Sequence, residues 1–382
     1  MSMSGSGPSA ATRLLGALAQ SGRPARVVAQ QLDALRTLGT SAWSRSSGTP
    51  RSHVSEQLSH GQSLVYREIW ERAASAAGAS VRELADGYLI AGCDGAETLL
   101  WRHLVMLDHP ANVALTLDKP IVHRLMAGEG LPIPDHLQAD RRDRASALEF
   151  LATSDDAFVV KPANGTSGGL GVTCGVQSHE DLSRAWLQAA RWDSRVLVER
   201  QTRGDEYRLL FLDGVLLGIV NRGRPSVTGD GKNTVVGLIR AENRRRLASD
   251  AHDVSRLLRI DLDCALAVRR NGFTLRSVIP EGQRVTVKST VGENARADNR
   301  AVPTEEVSPE LVAEAARAAG VVRLRLAGID LVTPDHSRSL PDAGGTILEV
   351  NATPGLHYHY QVANPQQAPA VANEILRALL RA

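Results

Sequence analysis

The sequence predicts a mixed α+β / α/β chain divided into two or three subdomains. Three observations lead there. Residues 158–173 read as strand, glycine-rich loop, strand. Residues 327–333 and 346–351 read as a second pair of strands, and helical segments separate these from further strands. A chain of 382 residues is also longer than one small core needs.

In chain order, residues 1–10 are rich in Ser and Gly and are expected to be disordered. Residues 11–38 carry Leu14, Leu15, Leu18, Val27, Val28, Leu32 and Leu35 at helical spacings, split into two helices by Gly22 and Pro24. A polar linker is expected over 40–55. No functional motif falls before about residue 70, where packing is favoured over a reduced substrate-side domain or a homodimer contact. Residues 66–77 form an amphipathic helix. Residues 81–84 and 88–92 are strands turned by Asp86-Gly87, while 97–107 read as helix or loop. A helix runs from Lys119 to Met126, and His123 on it is read as a packed histidine. Helices at 145–152 and 180–190 flank the glycine loop. With the strand at 195–199 they make a small β-loop-β-α-β lobe.

Asp213-Gly214 between two apolar runs signals a further hairpin. Residues 240–247 are a basic helix whose Asn243-Arg244-Arg245-Arg246 run is expected to face solvent, as are Arg141, Arg142 and Arg144. Residues 284–288 are an alternating strand. Further helices are expected at 253–260, 309–319 and 368–382. Ser308 suits the N-cap of the second of these and Pro309 its first position.

Two stretches carry chemistry. In the first, Asn164, Gly165, Thr166, Ser167, Gly168, Gly169 and Gly171 lie between strands, directly after Lys161. Glycines let a backbone approach a ligand closely, and bare N–H groups with small hydroxyls suit phosphate oxygens. Lys161 would add a point charge. An ordinary hairpin loop would use the same glycines. No G-K-[ST] follows, and the glycines lead into a strand, which excludes a Walker loop and a dinucleotide fingerprint. In the second stretch, strand alternation puts Glu349 and Asn351 on one face. Asp330 sits in an apolar run, where a charge is costly without a partner. Paired as a hairpin, Asp330, Glu349 and Asn351 converge as an all-oxygen set suited to Mg²⁺ shared with phosphates. The competing reading is a carboxylate satisfied by a nearby arginine, or one on a solvated sheet face.

Lys161 with its glycine loop, Asp330, and Glu349-Val350-Asn351-Ala352-Thr353-Pro354-Gly355 resemble the ATP-grasp fold of carboxylate–amine ligases. The chain is most similar to the ATP-grasp domain of the cyanophycin synthetase family, and more distantly to glutathione-forming and D-alanine–D-alanine ligases. Leu117-Asp118-Lys119 with Gly130-Leu131-Pro132-Ile133-Pro134 resembles the first ATP lysine and its G-x-P-x-P segment. Residues 196–200 and 204–208 resemble the adenine and ribose hinge, and 227–234 the loop that closes over the nucleotide. The likeness spans about residues 75–365.

The resemblance implies two α+β lobes holding ATP between them, after a smaller N-terminal α/β domain. The expected divisions are 1–55 (start, helices and linker), 56–115 (substrate-side domain), 116–198 (first lobe) and 199–382 (second lobe). It implies that Lys119, Lys161, Gly165, Ser167, Gly168, Gly169, Glu199, Glu206 and Lys232 bind the nucleotide. Two Mg²⁺ ions, replaceable by Mn²⁺, would sit on Asp330, Glu349 and Asn351. Arg222 and Lys288 would stabilise the acyl phosphate and the tetrahedral oxyanion, and His357 and Tyr358 would contact substrate. A metal-binding role for His357 and His359 is disfavoured.

The implied function is an ADP-forming ligase joining a small carboxylate or amino acid to an amine through an acyl phosphate. An ATP-grasp phosphotransferase is the alternative; a nucleotide sensor without turnover is disfavoured because the metal and phosphate residues are all present. The cyanophycin enzyme continues into a further ligase domain where this sequence ends, so single ligation is expected in place of polymerisation.

Lys+Arg 44 against Asp+Glu 42 leaves a net charge of +2, which gives no electrostatic case for nucleic acid or an acidic membrane surface. Cys93, Cys174 and Cys264 lack C-x-x-C spacing and suggest a reducing, cytoplasmic setting. No apolar run approaches the eighteen or so residues of a membrane span, and no secretion signal is expected.

Overall fold

The computed structural model describes residues 50–164, 167–248 and 257–381. The expected disorder over 1–10, the expected helices within 11–38 and Gly165 lie outside the described residues.

Helix α1 (Pro50–Ala77) begins inside the stretch read as a linker. Val65, Tyr66, Ile69, Trp70, Ala73 and Ala74 form its buried stripe. Strands β1 (Ser80–Ala85), β2 (Tyr88–Cys93) and β3 (Ala96–Trp101) follow as an antiparallel meander. Asp86 and Gly87 have φ of 51° and 78°, the left-handed pair that a type I′ turn needs. β3 corrects the helix-or-loop reading of 97–107. Thr98 and Leu100 alternate inward, and Asp94-Gly95, with φ of 52° and 87°, repeats the turn before it.

Next come α2 (Pro110–Leu115), α3 (Lys119–Gly128), β4 (His136–Asp140), α4 (Arg144–Leu151), β5 (Phe158–Pro162), β6 (Thr173–Val176), α5 (His179–Ala189) and β7 (Arg195–Arg200). The strands form an antiparallel sheet in the order β4-β7-β5-β6. Phe158, Val160, Leu182, Trp186, Val196 and Val198 fill its core, each contributing about 1.5–3 kcal/mol on burial. The lobe boundary expected between 198 and 199 falls inside β7.

The remainder contains β8 (Asp205–Leu212), β9 (Val215–Arg222), β10 (Ser226–Thr228), α6 (Val235–Ala248), α7 (Leu262–Arg270), β11 (Arg284–Thr286), β12 (Asn299–Val302), α8 (Pro309–Val321), β13 (Leu326–Thr333), α9 (Leu340–Ala343), β14 (Thr346–Ala352) and α10 (Val371–Arg381). Five strands form an antiparallel sheet in the order β12-β9-β8-β13-β14. Helix α8 packs Leu311, Ala315, Ala318 and Ala319 into the core of this sheet, and Ser308 caps it by accepting from the N–H groups of Glu310 and Leu311. β10 and β11 pair with each other and join α6 and α7 in a satellite core of Val227, Val235, Ile239, Val268 and Val285.

Two expectations here need correction. Asn243 and Arg246 are buried, while Arg244 and Arg245 face solvent. Asn243 exchanges hydrogen bonds with the Leu258 backbone (2.9 and 2.7 Å), and Arg246 donates to the Glu293 carbonyl (2.7 Å). Three-residue spacing puts 243 and 246 on one helix face, turned inward. The helix expected over 253–260 is absent from its described part, since 257–260 have no regular structure.

The first helix and meander do not close a core alone. Tyr66, Trp70, Leu89 and Leu100 pack with Leu210 and Leu212 of β8, Leu326 of β13, Leu356, and Ile375 and Leu376 of α10.

Candidate active site

The strand pair expected at 327–333 and 346–351 forms, and its register sets Asp330 opposite Glu349 and Gly328 opposite Asn351. On the other side, β8 sets Arg208 opposite Asp330. Arg208, Asp330 and Glu349 therefore lie in line across three strands. Arg208 donates to both oxygens of Asp330 (2.6 and 2.5 Å). Arg222, opposite Glu206 on β9, donates to Glu206 (2.9 Å) and to Asp330 Oδ2 (3.4 Å). Asn351 Nδ2 donates to Asp330 Oδ2 as well (3.2 Å). Burial alone would push the Asp330 carboxyl up, but the two guanidiniums outweigh it and hold it below its usual range. Burial pushes Glu206 up to about 7, opposed by Arg222 and reinforced by Asp330.

The donor set fits a hard cation that keeps phosphate ligands. Among the described residues Asp330 Oδ1 accepts only from Arg208, which leaves it acceptor capacity. Glu349 is about a third exposed, and its one ion pair among the described residues is a long contact to Lys119 (3.7 Å). No cluster of three or more His, Cys, Asp or Glu forms a protein-only cage among the described residues, and Mg²⁺ is the ion that does not require one.

Lys119 begins α3, and the Asp118 carboxylate caps that helix by accepting from Ile121 N–H. Arg195 of β7 holds the same carboxylate at 2.7 Å. Lys161 on β5 pairs with Glu199 of β7 (2.6 Å), and both are buried. His123 stands 3.8 Å from Glu199, with its Nε2 bonded to the Leu348 carbonyl (3.1 Å). Burial brings its pKa down to about 4, against the pull of Glu199. His123 is packed, as expected, but at the junction where α3 meets β14. Thr116, Lys119, Val122, His123, Leu348, Glu349 and Val350 line one small cavity there.

The glycine loop turns tightly at Ser167–Gly169, with Gly168, Gly169 and Gly171 at φ of 69°, 72° and 75°. It packs against residues 290–293: a Cβ on Gly292 would come 2.9 Å from the Gly168 carbonyl carbon. Lys232 is exposed and makes no ion pair among the described residues. Asp230 accepts from its backbone N–H (2.9 Å) and from that of Asn233 (2.7 Å), which tightens the loop. Lys288 is not brought to Arg222. It is fully buried, with Nζ between Asp261 (2.7 Å) and Asp263 (3.3 Å). Burial opposes its charge, yet Asp261, Glu293 and Asp263 outweigh this and push its pKa up. In this arrangement Lys288 holds the 261–263 segment, and Arg208 and Arg222 are the guanidiniums at the carboxylate row.

His357 and Tyr358 lie on the turn Leu356–His359, and the Tyr358 ring lies under Arg222 (4.6 Å) and Arg208 (5.3 Å). Arg208, inside the 204–208 hinge segment, and Tyr66, at the start of the expected helix, were given no site role of their own from the sequence. Its place two residues after Glu206, on the same strand face, was a signal for Arg208. His359 is fully buried with neither ring nitrogen bonded, and burial beside Arg208 and Arg222 holds its pKa down to about 3. A group depressed from 6.5 favours the fold above the unfolded pKa, and this is lost as pH falls from 6.5 towards 3, at up to about 1.4 kcal/mol per pH unit. His359→Phe should therefore flatten the acid side of the stability profile. Urea unfolding at pH 7 and pH 5 checks this; equal losses in variant and parent would refute it.

No family model matches the chain. It is 34% identical over 267 residues to a cyanophycin synthetase from Nostoc sp. (strain PCC 7120 / SAG 25.82 / UTEX 2576), covering 67% of this chain and 28% of that protein. It is 30% identical over 271 residues to the glutathione biosynthesis bifunctional protein GshAB of Streptococcus mutans serotype c, covering 69% and 35%. The chain thus spans about a third of the length of these curated relatives. Among solved structures, a bifunctional glutathione synthetase from Pasteurella multocida superposes with a TM-score of 0.53 at 20% identity, covering 83% of this chain and 43% of that one. The fold is shared with that synthetase, and the ordered motifs from Lys119 to Gly355 lie on it as two sheets meeting at a lysine–carboxylate junction: the chain belongs to the ATP-grasp family.

Proposed function

We propose that the protein is an ATP-dependent carboxylate–amine ligase. It would form an amide, of peptide or γ-glutamyl type, between an amino acid or small carboxylate and an amine, releasing ADP and phosphate. The observation that carries this is the junction itself. Lys119 reaches Glu349 at 3.7 Å, and the buried Lys161–Glu199 pair (2.6 Å) stands beside His123 of the Lys119 helix, so both lysines border the junction. A polyphosphate there has cations on one side and metal-binding oxygens on the other.

Lys119 and Lys161 hold phosphates, the Gly168–Gly169 turn and Ser167 cover them, Glu199 supports Lys161 and the hinge, and Glu206 receives the ribose. The Lys232 loop closes over the nucleotide. Asp330, Glu349 and Asn351 would hold Mg²⁺ (or Mn²⁺), which would supply charge neutralisation for the phosphoryl group. A substrate carboxylate oxygen attacks the γ-phosphorus, the bond to ADP breaks, and an acyl phosphate forms. The amine then attacks the acyl carbon, phosphate leaves with the former carboxylate oxygen, and the amine nitrogen loses a proton. Arg222, beside the row and over Tyr358, is the cation for the oxyanion. The residues need to position and neutralise charge; no protein nucleophile is required. A cytoplasmic setting accords with three unpaired cysteines. No helix among the described residues is long and apolar enough to cross a membrane.

Screening amino acids in pairs for ATP-dependent phosphate release finds the substrates. With an acid labelled by ¹⁸O in its carboxylate, one labelled oxygen should pass to phosphate per amide formed, and the nucleotide product should be ADP. Label in AMP would overturn the mechanism. A stable phosphorylated product formed without any amine would identify a phosphotransferase.

A further inference from the structure

Tyr66 of α1 is 291 residues from His357, yet its phenol oxygen lies 2.8 Å from His357 Nδ1. The His357 backbone N–H donates to the same oxygen (3.3 Å). Tyr66 is 1% exposed, so its own proton needs an acceptor. If Nδ1 carried a proton, two donors would converge on the phenol and the phenolic proton would be orphaned in the core. The phenol therefore donates to Nδ1, which must be bare, and a neutral His357 carries its proton on Nε2. The Tyr66 and His357 rings meet edge to face at 5.8 Å, and His357 lies against Tyr358 at 4.1 Å. Tyr358 in turn lies under Arg222 and Arg208. His357 and Tyr358 are partly exposed while their neighbours Leu356 and His359 are buried, and Tyr358 lies against the arginines that hold Asp330.

We infer that Tyr66 is a positioning residue of the active site: its hydroxyl fixes the tautomer and ring plane of His357, and thereby the donor that this turn presents to the acid or amine substrate. The inference rests on the ligase reading for the word substrate, but not for the tautomer. Helix α1, outside the two ATP-holding sheets, then takes part in substrate selection. A ring fixed with Nε2–H favours an acceptor such as a carboxylate oxygen over an ammonium group.

The test uses Tyr66→Phe, which keeps the buried ring and removes only the hydroxyl. Imidazole nitrogen shifts from ¹⁵N-labelled protein, assigned with His357→Gln, should show the Nε2–H tautomer in the parent and mixed tautomers in Tyr66→Phe. With the amino-acid pair giving the fastest ADP release, Tyr66→Phe should raise the KM of one amino acid by about tenfold and leave the KM of ATP within about twofold. In the His357→Gln background the same change should have no further effect on KM. A parent with Nδ1 protonated, or a variant with an unchanged tautomer, would overturn the inference. A parent that turns over no pair would overturn the ligase reading alone, since the nitrogen shifts still judge this one.

Discussion

Glu349→Gln should lower kcat for amide formation at saturating ATP and Mg²⁺ by about a thousandfold or more, with little change in stability. Glu349 is the least encumbered carboxylate of the row. Its one ion pair among the described residues is the 3.7 Å contact to Lys119, and it is about a third exposed. A neutral isostere therefore disturbs the fold little, which separates chemistry from folding. What it removes is a charged oxygen facing the place where the proposed phosphoryl transfer concentrates negative charge. Single-turnover ADP formation, measured beside a thermal melt, checks both halves. Near-parental turnover at saturating Mg²⁺ would mean that Glu349 does not hold the ion.

Asp330→Ala should behave differently, costing about 3–5 kcal/mol of folding stability as well as activity. Arg208 is buried and donates to both oxygens of Asp330, and buried Arg222 reaches the same carboxylate. Removing the carboxylate leaves one guanidinium without its bidentate partner in the core and weakens the neutralisation of the other. Arg208→Met in the Asp330→Ala background should recover part of the loss, because the orphaned charge goes too. Urea unfolding of the four proteins in this cycle measures it. A single-variant loss below about 1 kcal/mol would show that water reaches Arg208 readily.

The contrast between these two carboxylates marks what was legible in the sequence. Alternation along residues 346–351 sufficed to put Glu349 and Asn351 on one face, because a strand leaves only two choices. An apolar run around Asp330 sufficed to demand a partner. Naming Arg208 as that partner required the register of β8 against β13, between residues 122 apart, which no local pattern encodes. The Asp-Gly turns at 86 and 213 were legible for the opposite reason: both residues act through their own φ angles. Asn243 and Arg246 read as solvated because polar residues usually are. Their burial depends on the Leu258 and Glu293 backbones, which arrive from elsewhere in the chain. Lys288 was legible as a cation, but not its capture by Asp261 and Asp263.

The core shared by α1, the meander and α10 has a consequence for biosynthesis. Tyr66 and Trp70 leave the ribosome long before Ile375 and Leu376, against which that core closes. Until then a helix face of aromatic and aliphatic residues has no permanent cover, and closing so long a loop is slow. The nascent chain is thus exposed to aggregation until α10 has been made. Trimming α10 should make the early-made segment protease-sensitive, though the two lie at opposite ends of the described sequence.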